Sequence, residues 1–223
     1  GVLLVVGSRD VVVRLARTRA THHVVGRGAG DERRQVVEGV GAVLVAAVIV
    51  EDVVRLVVEA ELDGMVADEQ VALLLEAGLR AFSSKGNTPW EFVVVTDREM
   101  ITRLAAAKTH GSSFLAGAPL AIVVCADPAR SDVWVEDASI AAALLHLAAT
   151  DLGLGSCWVQ IRLRDHNQDS SAQAYVAGLL GLPEQIMVEA IIAIGHPVEP
   201  KNGHPTASLP YNQVSYQRYG QRG

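Results

Sequence analysis

The chain has few aromatic residues, few lysines and only two cysteines. Phe, Trp and Tyr make up 4% of its 223 residues, and none of them precedes Phe82. The net charge of −6 argues against the clustered basic surface that phosphate backbones require, so we expect no nucleic-acid partner. The 50% hydrophobic content is typical of a globular protein with a full core. We therefore expect a small-molecule partner.

The two cysteines and the apolar runs indicate the compartment. Cys125 and Cys157 form neither a Cys-x-x-Cys motif nor a metal-binding spacing, which favours a reduced, cytoplasmic protein. The pair His22 and His23 has no further ligands at a matching spacing, so we predict no metal site. No run of about 18 apolar residues predicts a membrane span. The Val2–Val6 run is too short for a signal peptide.

Composition divides the chain into three parts. Residues 1–62 are an atypical segment rich in Val, Ala, Gly and Arg, whose short apolar runs fit either strands or helices. Residues 63–200 are predicted to form the core domain, and residues 201–223 a carboxy-terminal extension. Within the first part, Gly26–Gly30 matches a dinucleotide-binding loop poorly, because a charged stretch follows it, and an ordinary surface turn fits better.

After residue 62, helical and strand patterns alternate. Three helix starts carry capping residues: Asp68, the box Thr96–Glu99, and Ser170 with Gln173. Buried strands are predicted at 92–95, at 188–194 and, as a continuous apolar run, from the residue after Pro119 to Val124. The segment 138–152 is apolar nearly all round, which places that helix inside the protein or in a dimer interface. This order predicts a sheet covered by helices.

The loop that joins the first helix to the first strand is built to contact a ligand. It supplies hydroxyls from Ser83 and Ser84, a charge from Lys85 and an amide from Asn87. Gly86 leaves the backbone accessible, and the residues that follow fix the path into the strand.

Four segments resemble the nitroreductase family, in family order and at family-like spacing. The first is Ser83–Trp90, which is similar to the family's Ser-Ser/Ala-x-Asn-x-Gln-Pro-Trp loop. The others are 117–124 with 134–142, 148–159 and 191–197. The resemblance implies an α/β (α+β) fold, a nitroreductase-like three-layer sandwich with a central mixed sheet flanked by helices, in a homodimer. It also implies FMN as cofactor and NADH or NADPH as co-substrate.

The resemblance implies which residues bind the cofactor. The ribityl chain and ring edge would contact Ser83, Ser84, Lys85 and Asn87; Lys85 is as compatible with a solvated loop lysine. The ring would lie along Gly155, Trp158, Val159, Gln160 and Ile161, with one backbone N–H facing N5; a plain core tryptophan is the alternative for Trp158. Family members hold the FMN phosphate with an Arg-rich element that is missing here, which leaves Arg55 and Lys201 as candidates.

The segment that carries His110 and Phe114 would shape the substrate pocket, although an exposed loop anchored by its Phe fits equally. The resemblance implies transfer of hydride through flavin to a nitroaromatic, a quinone or a similar acceptor. No side chain is predicted to be catalytic, because the flavin N5 carries the chemistry. Two alternatives stay open. One is a substrate-specific flavoenzyme of the same fold, dehalogenase-like or a heterocycle oxidase, and the other is a non-catalytic flavin-binding module.

Overall fold

The computed structural model describes residues 64–199 and 203–222 of the chain. Within them helices and strands alternate strictly. The helices are α1 (Asp68–Leu79), α2 (Arg98–Ala105), α3 (Trp134–Asp151) and α4 (Ala172–Leu180), and the strands are β1 (Trp90–Val95), β2 (Leu120–Ala126), β3 (Gly155–Gln160) and β4 (Met187–Gly195). The atypical segment 1–62 and residues 200–202 lie outside the described residues. The predicted domain boundaries therefore stay predictions.

The four strands form one sheet in the order β1-β2-β4-β3. All three pairings are antiparallel, whereas we had expected a mixed sheet. The difference has a topological reason. The crossover through α3 makes β2 and β3 run in the same direction, but β4 is inserted between them and is antiparallel to both. No parallel pair therefore forms among the described strands.

Both faces of the sheet are covered, which confirms the three-layer α/β sandwich. Side chains alternate along each strand. Ile122 of β2 and Ile192 of β4 face α1 and α3, whereas the neighbouring Val123 and Ile191 face α2 and α4. Every residue of β2 is buried, as its continuous apolar run predicts. The β2 strand therefore lies at the centre of both apolar layers.

The helices begin close to the predicted residues but use different caps. Asp97, rather than Thr96, caps α2 by accepting a hydrogen bond from the Met100 N–H at 2.8 Å. Ser171, rather than Ser170, caps α4. Gln173 does not complete a capping box, because its side-chain oxygen accepts from the Val188 N–H at 2.6 Å and so links α4 to β4.

The helix α3 is the apolar helix of the sequence prediction, and it begins four residues earlier. Its buried residues are Asp137, Ala138, Ala141, Ala142, Leu145 and Ala149. The opposite side stays partly open, since Ala143 is exposed and Leu147 only partly buried. None of the helices in residues 64–199 and 203–222 has the length and apolarity that crossing a bilayer requires.

Candidate functional site

The loop between α1 and β1 is fixed to the amino-terminal end of α3 by a buried carboxylate. Asp137 is 2% exposed. Its Oδ1 accepts a hydrogen bond from the Ser84 N–H at 2.7 Å, and its Oδ2 accepts one from the Ser131 hydroxyl at 2.7 Å. Sequence reasoning missed Asp137. The available signal was an acidic residue in the first turn of an otherwise apolar helix.

The backbone of this loop is strained. Lys85 has φ 56° and Thr88 has φ 43°, in a region that side chains with a Cβ rarely adopt. The Thr88 N–H donates to the Ser83 hydroxyl at 2.9 Å, and Arg130 donates to the Asn87 carbonyl at 3.2 Å. Such strain persists only where surrounding contacts over-determine the conformation, and it clusters at functional sites.

Two polar side chains of the loop keep their hydrogen-bonding capacity. Within the described residues, the Ser84 hydroxyl and the Asn87 side-chain amide make no hydrogen bond, although both residues are partly buried. The Lys85 side chain, by contrast, is 72% exposed, and its Nζ forms an exposed ion pair with Asp132 Oδ1 at 3.8 Å. The loop therefore presents a hydroxyl and an amide, with a solvated ammonium beside them.

The carboxyl end of β3 is held by a short chain of hydrogen bonds. The Trp158 indole N–H donates to Gln160 Oε1 at 2.8 Å, and Gln160 Nε2 donates to the Arg162 carbonyl at 2.9 Å. The Gln160 side chain is thus occupied within its own strand. These two bonds fix the orientation of the Gln160 amide relative to Trp158 and Arg162.

The backbone of β3 faces an open edge of the sheet. The Ile161 N–H points to β4 and donates to the Glu189 carbonyl at 3.3 Å. Because backbone groups alternate along an antiparallel strand, the N–H groups of Trp158 and Gln160 point away from β4. Among the described strands β3 lies at the end of the sheet order, so nothing pairs with these groups there. They are unpaired backbone donors at this edge of the described sheet.

The loop and the end of β3 meet at the first turns of α3. Asp137 holds Ser84, as described above, and the Arg162 guanidinium lies over the Trp134 ring, 5.7 Å from its centroid. Trp134 is the first residue of α3 and Asp137 follows one turn later. Ser84 and Arg162, which are 78 positions apart in the chain, are thereby brought to one helix end.

Two ionisable groups in this region have shifted pKa values. Burial lowers the pKa of His146 to about 4, which keeps the ring neutral. Its Nδ1 is 2.7 Å from the Ser156 hydroxyl, and its ring lies 6.3 Å from that of Trp158. Burial also raises the pKa of Glu189, against the opposing effects of Arg162, Ser139 and Gln160. Sequence reasoning singled out neither His146 nor Glu189.

The other predicted site residues are placed as follows. Gly155 begins β3, and Val159 and Ile161 are buried in the layer with α2 and α4. His110 is exposed, and Phe114 is 7% exposed within that same layer. Arg55 and Lys201, the two candidates for the phosphate, lie outside the described residues. Among residues 64–199 and 203–222, no group of three His, Cys, Asp or Glu side chains is arranged to hold a metal ion.

Comparisons with known proteins agree on one family. The model of the nitroreductase family matches residues 103–196. A curated protein of Archaeoglobus fulgidus, provisionally named an NADH dehydrogenase/NAD(P)H nitroreductase, is 38% identical over 63% of this chain and 79% of its own length.

Solved structures give the same result. An FMN-dependent nitroreductase from Clostridium difficile is 43% identical, with a TM-score of 0.69 over 70% of this chain and 91% of its own. A structure from Desulfovibrio desulfuricans, provisionally described as a nitroreductase in complex with FMN, is 30% identical, with a TM-score of 0.53 over 71% of this chain and 92% of its own.

Proposed function

The chain belongs to the nitroreductase family, and from this premise we propose that it is an FMN-dependent oxidoreductase. It takes hydride from NADH or NADPH and passes electrons to a nitroaromatic, a quinone or a similar acceptor. The observation that carries the proposal is the meeting of the Ser83–Asn87 loop and the end of β3 at the first turns of α3. The name of the Clostridium difficile relative supports FMN, and that of the Archaeoglobus fulgidus relative supports NAD(P)H.

The donor set of the site fits FMN. The Ser84 hydroxyl and the Asn87 amide, which have no partner among the residues that the structure describes, suit the ribityl chain and the ring edge. The outward N–H groups of β3 suit the nitrogen and oxygen atoms along the ring. Arg55 and Lys201 are our candidates for the phosphate. FMN, when bound, supplies the hydride and electron chemistry.

The protein's own part is positioning and electrostatics. Asp137 fixes the loop at Ser84, and Arg130 holds the carbonyl of Asn87. The hydrogen bonds within β3 hold its edge N–H groups in place before any ligand arrives, which lowers the entropic cost of binding. We propose that His110 and Phe114 contribute to the substrate pocket. No acid–base side chain is needed in this scheme.

We also propose that the protein is a homodimer in the cytoplasm. The partly open apolar side of α3 and the exposed tyrosines Tyr211, Tyr216 and Tyr219 of the carboxy-terminal extension are surfaces that a second copy would cover. Cys125 and Cys157 are both free and buried, which is compatible with a reducing compartment.

The test is the absorption spectrum of the purified protein, followed by titration with FMN and steady-state oxidation of NADH and NADPH with menadione or a nitrofuran. We expect flavin absorption bands and acceptor-dependent turnover. A colourless protein that cannot be reconstituted with FMN would overturn the proposal. Bound FMN without turnover would favour the flavin-binding module instead.

A matched pair of serine variants locates the site. Ser84→Ala should weaken FMN binding by about tenfold, the usual worth of one hydrogen bond. Ser113→Ala, an exposed serine in the turn before β2, should leave the FMN dissociation constant unchanged. Equal affinities for the two variants would place the cofactor elsewhere.

A further inference from the structure

A buried carboxylate without a complete set of partners lies behind the end of β3. Glu189 is 4% exposed, and its Oε2 has no hydrogen-bond partner among the described residues. The nearest opposite charge is Arg162, whose Nε lies 4.0 Å from that oxygen. Burying a carboxylate in this state is costly, so its presence calls for a physical reason.

The backbone of Glu189 holds the same segment. Its carbonyl accepts hydrogen bonds from the Ile161 N–H at 3.3 Å and the Arg162 N–H at 3.1 Å. This double acceptance occurs at an irregularity of β4, where the register against β2 shifts between Ala190 and Val188 and leaves Glu189 as the extra residue. Because of the bulge, both the carbonyl and the carboxylate of Glu189 contact the residues that follow β3.

The contacts form a closed set around Arg162. Its carbonyl accepts from Gln160, and its backbone N–H donates to the Glu189 carbonyl. Its side chain lies 4.0 Å from the Glu189 carboxylate and 5.7 Å from the centroid of the Trp134 ring. The guanidinium makes no hydrogen bond to the described residues, among which Glu189 is the acidic side chain within 4.0 Å of it. Removing that charge frees the side chain and loosens the strand end.

We propose that Glu189 is a positioning residue for the flavin site: through Arg162 it holds the segment Gln160–Arg162, and with it the edge N–H groups of β3, in the orientation that FMN requires. This inference rests on the proposed function. It concerns how the site is pre-organised, because Glu189 is buried behind the strand and does not itself contact the ligand. The functional value of the arrangement offsets the cost of the buried charge.

The experiment replaces each partner and measures the bound flavin as well as activity. Glu189→Gln keeps the shape and removes the charge, and Arg162→Gln removes the other member of the pair. Each should raise the dissociation constant of FMN about tenfold. At metal sites, removing a residue that orients a ligand-binding group lowers affinity by about 10- to 100-fold, and we expect the lower end of this range. At saturating FMN, each should also shift the visible spectrum and the midpoint potential of the flavin.

Two exposed residues provide matched controls. Glu184→Gln and Arg164→Gln make the same chemical changes outside the set of contacts, and they should leave the dissociation constant, spectrum and potential unchanged. The double variant Glu189→Gln/Arg162→Gln should be no worse than either single variant, because both remove one interaction. Additive losses would contradict a shared role.

The outcomes separate this inference from the proposed function. A wild-type protein that does not bind FMN overturns both. A wild-type protein that binds FMN and turns over, with Glu189→Gln indistinguishable from Glu184→Gln, overturns only the positioning role. If Glu189→Gln does not fold, Arg162→Gln decides, since the Arg162 side chain is 35% exposed and its replacement removes no buried apolar group. Unchanged flavin properties in that variant would overturn the inference.

Discussion

At the scale of single residues, the candidate site depends on polar groups buried at the ends of apolar elements. Asp137 has both carboxylate oxygens in hydrogen bonds, one to the Ser84 N–H and one to the Ser131 hydroxyl. It joins three segments that are separate in the sequence. Its role could not be read from the chain, because an acidic residue in the first turn of a helix is equally explained by the helix dipole.

Replacing Asp137 tests this connection. Asp137→Ala leaves the Ser84 N–H and the Ser131 hydroxyl without their acceptor, and we expect the free energy of unfolding to fall by about 1–3 kcal/mol. Urea denaturation measures the change. Asp169→Ala, at an exposed aspartate in the loop before α4, is the control and should change stability by less than about 0.5 kcal/mol. Similar losses in both variants would contradict the role of Asp137.

The buried His146 predicts a pH dependence of stability. Its folded pKa of about 4 is below the unfolded value of 6.5, so the unfolded chain binds more protons between these values. The stabilisation is therefore complete above pH 6.5 and is lost as the pH falls towards 4. The free energy of unfolding should decrease by up to about 1.4 kcal/mol per pH unit in this window.

Denaturation of wild type and His146→Gln at pH 7, 6 and 5 checks this expectation. The variant has no titrating group at this position, so its stability should change less between pH 7 and 5. Parallel curves for the two proteins would show that His146 is not the group responsible.

At the scale of elements, close packing rather than helix propensity decides what a glycine in a helix contributes. A Cβ at Gly78 of α1 would lie 3.0 Å from Phe92 Cζ and 3.1 Å from Leu145 Cδ2. Gly178 of α4 has open space instead, with no atom within 4 Å of such a Cβ. The glycine at position 78 thus lets α1 approach α3 and β1 closely.

The two glycines form a matched pair. Gly178→Ala should raise the free energy of unfolding by up to about 1 kcal/mol, the difference in helix propensity. Gly78→Ala gains the same propensity but overpacks the contact with Phe92 and Leu145, so it should be less stable than Gly178→Ala. Thermal unfolding followed by circular dichroism ranks the variants. The reverse order would mean that Phe92 and Leu145 shift to accommodate the added methyl group at little cost.

Sequence patterns located the four helices and three of the four strands, but they did not predict β3 as a strand, and they located the caps less well. The apolar run of β2 and the long apolar helix α3 follow directly from the sequence, because burial on both faces needs continuous apolar residues. The strand β4 follows the same pattern except at Glu189. Two observed caps lie one residue after the predicted ones: Asp97 instead of Thr96, and Ser171 instead of Ser170. Adjacent residues with similar capping ability cannot be ranked without knowing the direction from which the chain enters the helix.

At the scale of the whole molecule, the partly open apolar side of α3 predicts self-association. Leu147 is only partly buried and belongs to none of the buried core clusters among the described residues. We expect the wild-type protein to be a dimer by size-exclusion chromatography with light scattering. Leu147→Arg should shift it towards the monomer, because an arginine cannot be buried there without a partner.

The control is Leu163→Arg, the same change at a residue that is 76% exposed in the loop after β3. It should leave the oligomeric state unchanged. A wild-type monomer, or a dimer unaffected by Leu147→Arg, would contradict an interface on this side of α3.

The sequence by itself determined the four helices, the strands β1, β2 and β4, the family and the polar loop Ser83–Asn87, because these depend on local composition and on the order of motifs. Only the tertiary structure decided what that loop meets. Three features depend on contacts between distant segments: the insertion of β4 between β2 and β3, the bulge at Glu189, and the hydrogen bond from the Ser84 N–H to Asp137. Such contacts are selected by the packing of whole layers, which no short stretch of residues encodes.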